Sequence, residues 1–99
     1  MNPEQKLKEL GIELPQSSAP AANYANAVRS GNLLFIAGKA PLPVDGKLPK
    51  GRLGREFTTD EGYQFARSAC IDLIAVMKNE LGSLDKVARV VELQGAINA

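Results

Sequence analysis

Apolar positions recur at helical spacing over one long stretch of the chain and at strand spacing over shorter ones. The strongest run follows Thr58. Phe65, Ala66, Ala69, Cys70, Leu73, Ile74, Met77 and Leu81 share one side, while Gln64, Arg67, Ser68, Asp72 and Asn79 occupy the other. Thr58 and Glu61 have the capping-box spacing, in which hydroxyl and carboxylate each accept from the other residue's free backbone N–H. Gly82 supplies the small residue that closes a helix. The pattern predicts an amphipathic helix that buries Leu73, Ile74, Met77 and Leu81, worth about 1.5–3 kcal/mol each before entropy is counted. It also places Cys70 among the buried positions, as an inert core thiol.

Three weaker elements flank it. Residues 3–10 read as a short helix, with Pro3 in the first turn, Leu7 and Leu10 on one face and Gly11 as its stop. At that length it is marginal unless it docks. Residues 15–23 hold two prolines and otherwise small or polar side chains, which predicts an extended loop. Tyr24 to Arg29 and Leu33 to Ala37 then read as two strands joined by a three-residue turn, Ser30-Gly31-Asn32. In the second strand Leu33, Phe35 and Ala37 point one way and Leu34 and Ile36 the other, so both faces are apolar and both call for cover. Val87 to Asn98 alternates as a further strand, carrying Arg89 on the same face as Val87, Val91 and Leu93.

Residues 38–55 hold four of the nine glycines and three of the six prolines, which predicts a long loop with a tight turn at Asp45-Gly46. Charge concentrates here. Lys39, Lys47, Lys50, Arg52 and Arg55 stand against Asp45 alone, a local net of +4, although the whole chain carries +1. A solvated loop is the ordinary outcome for such a run, and capture of a carboxylate or phosphate is the functional one. Gly51 and Gly54 are too closely spaced for a phosphate loop and open no helix.

Composition narrows the chemistry. Ninety-nine residues suit one domain. There is no histidine, which removes the usual general base and the usual metal ligand, and a single cysteine forms neither an internal disulfide nor a thiolate zinc site. No apolar run is long enough to span a bilayer, and the charged N-terminus lacks the apolar region of a secretory leader. Cytoplasmic location is the expectation. Near-zero net charge argues against nucleic acid or a membrane as partner. Asp60 and Glu61 are helix-start carboxylates that suit the dipole rather than an acid–base pair.

Several ordered runs resemble the RidA/YjgF family. They are Ala19-Pro20-Ala21-Ala22-Asn23-Tyr24, the stretch from Val28 to Pro41, Gly51-Arg52-Leu53-Gly54, Glu61-Gly62-Tyr63 with Ala66-Arg67, and Leu81-Gly82-Ser83-Leu84-Asp85-Lys86-Val87 with Gly95-Ala96-Ile97-Asn98. Together they look like a divergent branch of that family, over roughly the N-terminal two-thirds of its domain. The resemblance implies an α+β, chorismate-mutase-like fold, here a sheet with one long helix on one face and an incomplete C-terminal end. It also implies homotrimers with a cleft between subunits, no cofactor, and hydrolysis of reactive enamines and imines to ketoacids and ammonia. The family's substrate-gripping arginine lies beyond the last residue of this chain.

The same resemblance brings Tyr24 to a cleft-lining position. It sets Ala37 where a serine is often found and Lys39 where a glutamine is common. With Gly38 at the strand end and Arg89 on an apolar face, these five residues are the candidate substrate-binding set; no catalytic residue is singled out and no metal is expected. The expected function is a cofactor-free 2-imino or 2-enamino acid deaminase acting at a subunit interface. A non-catalytic oligomeric binder of small carboxylates is the alternative.

Overall fold

A computed structural model describes residues 2–16 and 25–99 of the chain. Tyr24 and most of the 15–23 loop lie outside the described residues. The elements run α1 (Pro3–Glu9), β1 (Ala27–Ser30), β2 (Leu33–Ile36) and α2 (Thr59–Leu81), followed by a single 3-10 turn at Leu84–Lys86.

Local chemistry accounts for the element ends. Asn2 and Gln5 form a reciprocal capping box at the start of α1, at 2.8 and 3.2 Å. Thr58 and Glu61 do the same for α2, at 3.1 and 2.9 Å. Gly82 terminates α2 at φ +81°, a left-handed conformation that only glycine adopts without penalty. The hairpin turn has two residues, not three, since Ser30 pairs with Leu33. Gly31 sits at its first central position with φ +58°, the glycine placement of a type II′ turn that matches strand twist. Asp45 and Gly46 both have positive φ and close a small bridge between Val44 and Lys47.

An isolated hairpin is not stable in water, and α2 supplies its support by packing against both strands. The most buried side of α2 is Asp72, Ala75 and Val76, with half-buried Ser68 one turn before them, spaced i, i+4, i+7, i+8. Ala75, Val76 and Leu84 are buried. Asp72 is the most deeply buried of the described residues, 1% exposed, and takes part in polar interaction rather than standing alone. That corrects the placing of Asp72 on the solvent side. Cys70 is exposed, which corrects its placing in the core, and Leu73, Ile74, Met77 and Leu81 are half-buried. The reason is that α2 is packed from two directions. The hairpin covers one side, while α1 and the 3-10 turn cover another, where Leu7, Ile74, Met77, Leu84 and Val87 line an apolar cleft.

On β2, Leu34 and Ile36 are half-buried toward α2, whereas Leu33 and Phe35 are 51% and 59% exposed. Val28, paired with Phe35 across the hairpin, is equally open. Val28, Leu33 and Phe35 thus form an uncovered apolar face, as the two-faced pattern of β2 anticipates. The predicted strand over 87–98 is absent: those residues form no strand, and Val90, Val91, Leu93 and Ile97 are exposed. An alternating pattern makes a strand only where another strand supplies its ladder bonds; among the described residues the segment's backbone bonds are that from the Val87 N–H to the Leu84 carbonyl at 3.1 Å and that from the Leu53 N–H to the Asn98 carbonyl at 2.9 Å, which make no ladder. Among the described residues no helix is long and apolar enough to cross a membrane.

Candidate functional site

The open end of the hairpin gathers three of the candidate residues. The Ala37 N–H donates to the Asn26 carbonyl at 2.9 Å, one step beyond the last paired residues, Ala27 and Ile36. The chain then turns off the sheet, and Lys39 folds back so that its Nζ donates to Asn26 Oδ1 at 2.7 Å. Asn26 therefore holds the segment twice, once by backbone and once by side chain. Its amide is neutral, so this bond orients the ammonium, and both residues take part in further interaction besides it. Lys39 and Asn26 are both half-buried. A lysine stem lying on protein with a directed head group is suited to meeting a carboxylate.

Three residues further on, the Leu42 N–H donates to Ser68 Oγ at 3.1 Å. The Ser68 hydroxyl donates in turn to the Phe65 carbonyl at 2.8 Å. The run Ala37–Leu42 is thereby fastened to β1 at one end and to α2 at the other. Gly38 lies between as an exposed residue with no positive φ, and a β-carbon there would meet nothing within 4 Å. Neither a positive φ nor close approach within the chain demands glycine at this position.

The remaining candidates do not converge on this place. Arg89 is exposed on the extended C-terminal segment and makes no ion pair among the described residues. Tyr24 lies outside the described residues. Asn26 and Ser68 carry no sequence signal: a lone asparagine before a strand and a serine inside a helix belong to no motif, and the Ser68–Leu42 bond spans 26 residues.

The basic loop divides. Arg55 is bound to its neighbour Glu56, with Nη2 at 2.6 Å and Nε at 2.7 Å from the carboxylate oxygens. This bond lowers the Glu56 carboxyl below its ordinary pKa and raises the Arg55 guanidinium. Glu56 also accepts from the Arg52 N–H at 3.2 Å, so the pair braces a tight turn. Lys47, Lys50 and Arg52 are exposed. Among the described residues no group of three or more histidine, cysteine, aspartate or glutamate side chains is placed to hold a metal ion.

A hairpin laid on one long helix, with a polar segment leaving the strand end, is an α+β arrangement. Comparison with known proteins gives the family. The family model described as "YjgF/chorismate_mutase-like, putative endoribonuclease" matches residues 4–99, and the chain belongs to that family. A protein of Trypanosoma cruzi, Protein TCP17, is 40% identical over 93 residues, 94% of this chain and 58% of that protein. Two solved structures are also similar. One, from Shewanella oneidensis, is described as a putative endoribonuclease, with 36% identity and a TM-score of 0.77 over 85% of this chain and 56% of that one. The other is Atu1372 of Agrobacterium tumefaciens, a protein of unknown function, with 36% identity and a TM-score of 0.74 over 89% and 54%. The chain thus spans little more than half the length of these relatives.

Proposed function

We propose that this chain contributes to a cofactor-free deaminase that hydrolyses 2-imino and 2-enamino acids. In the net step water adds to the imine carbon, the carbon–nitrogen bond breaks, and a 2-ketoacid and ammonia leave. The observation that carries this reading is Lys39, whose ammonium is directed by Asn26 at the end of β2. A substrate of this class always carries a carboxylate, and a fixed cation binds it and orients the adjacent imine carbon for attack by water. The uncovered face of Val28, Leu33 and Phe35 supports the reading as well, since it suits association of copies into a trimer with the site at a subunit boundary.

One observation favours a second reading. The residue beside Gly38 and Lys39 at the strand end is Ala37, whose methyl handles no proton, and the chain has no histidine. A carboxylate-binding protein without turnover fits that chemistry. The deciding experiment generates an imino acid in situ with an amino-acid oxidase and follows ketoacid release. Acceleration over buffer at micromolar folded protein supports deamination. Saturable carboxylate binding with no acceleration supports the second reading, and RNA cleavage without either would displace both.

A further inference from the structure

We propose that Ser68 is a positioning residue for the carboxylate site, acting through the Leu42 backbone N–H rather than by touching the ligand. The proposal rests on the reading of Lys39 as the carboxylate anchor. Bonds at both ends fasten the run that carries Lys39. Two go to Asn26, at 2.9 Å from the Ala37 N–H and 2.7 Å from Lys39 Nζ. The third is the 3.1 Å bond from the Leu42 N–H to Ser68 Oγ.

The geometry makes this third bond the one that sets direction. Both Asn26 bonds lie on the β1 side, whereas the Ser68 bond holds the far end of the run against α2. Residues 38–43 have no regular secondary structure and Gly38 is exposed, so the course of the backbone there is set by bonds to neighbouring elements rather than by a ladder of its own. Ser68 sits one turn before the buried Asp72 on α2 and is itself half-buried. Its hydroxyl hydrogen is spent on the Phe65 carbonyl at 2.8 Å, so its oxygen lone pairs are presented to the loop as an acceptor. A serine inside a helix ordinarily costs some helix propensity relative to alanine. Here that cost is offset by an acceptor which the Leu42 N–H would otherwise lack. The run from Ala37 to Leu42 is consequently held on a rigid helix at one end and a sheet at the other, as a preorganised binding segment requires.

The test uses pyruvate, a stable ketoacid, titrated into the full chain by NMR, with Leu42 amide exchange and thermal unfolding as parallel readouts. Ser68→Ala removes the acceptor while improving helix propensity, and Ser68→Val against Ser68→Thr compares near-isosteric side chains without and with the hydroxyl. The expected result is that pyruvate binds the wild type and that S68A and S68V weaken it about fivefold, the effect of one lost hydrogen bond. Leu42 exchange should quicken in both, the unfolding midpoint should hold in S68A, and S68T should restore binding and protection. Equal pyruvate affinity in wild type, S68A and S68V would overturn the positioning role and leave the Lys39 anchor standing. Weakening that S68T does not repair, or that follows the unfolding midpoint across the variants, would overturn it as well. Absence of pyruvate binding by the wild type, or binding that Lys39→Met leaves unchanged, would overturn the anchor itself and this proposal with it.

Discussion

A β-carbon on Gly62 would stand 2.7 Å from both terminal methyls of Leu53, so the first turn of α2 carries a socket for that side chain. The contact fastens the Arg52–Phe57 turn to the helix, beside the edge-to-face pair of Phe57 and Phe65 at 4.8 Å. Alanine at Gly62 gains about 0.8–1 kcal/mol of helix propensity, while displacing Leu53 costs about 1–3 kcal/mol. Gly62→Ala should therefore be neutral to destabilising in the wild type. In a Leu53→Ala background the same change should stabilise by about 1 kcal/mol. A double-mutant cycle by denaturant unfolding measures the difference, and additive effects would refute the socket.

The caps of α2 give a second test. Thr58→Ala removes the side chain that accepts the Glu61 N–H and should cost about 0.5–2 kcal/mol. Gly82→Ala forces a β-carbon into φ +81° and should cost about 1–2 kcal/mol. Each should lower the unfolding midpoint without changing the denaturant slope.

Acid should loosen α1. Glu4 accepts from Lys78 at 2.6 Å and from Ser83 at 3.2 Å. The Lys78 bond first, with its charge and the Ser83 bond, holds the Glu4 carboxyl below its ordinary value of 4.5. A group lowered on folding stabilises the docked state above its unfolded value, and that contribution is lost as pH falls through the folded value. Amide protection factors over residues 4–9 should fall in acid, and Glu4→Gln should abolish the pH dependence between neutral pH and the folded value.

The helical elements were legible because their signals are local. Thr58 with Glu61, Gly82, and Asp45 with Gly46 each act within four residues, and the structure places all of them as the spacing anticipates. The burial of Asp72 was not legible, since periodicity assigns polar residues to solvent and says nothing of a helix packed from two sides. Cys70 was misplaced for the same reason. The predicted strand over 87–98 failed because a ladder needs a partner that no pattern within the segment supplies. At the site, Lys39 could be picked out by charge and resemblance, but Asn26 and Ser68 could not, because their roles arise only when residues 13 and 26 positions apart meet.

The open face of the hairpin predicts association. Val28, Leu33 and Phe35 are each more than half exposed, and apolar side chains clustered on one sheet face favour contact with another copy. Light scattering should show an oligomer, with a trimer the expected form, and Phe35→Lys should shift it toward monomer. A stable wild-type monomer would contradict this use of the face.

The central claim is that the Lys39 cation anchors the substrate carboxylate, and steady-state kinetics of imino-acid hydrolysis by wild type, Lys39→Arg and Lys39→Met test it most directly. Losing a charge-assisted bond of about 1.5–3 kcal/mol should raise KM roughly tenfold or more in Lys39→Met, while Lys39→Arg keeps the charge and retains much of the affinity. Equal KM in wild type and Lys39→Met, or no acceleration over buffer by folded wild-type protein, would contradict it.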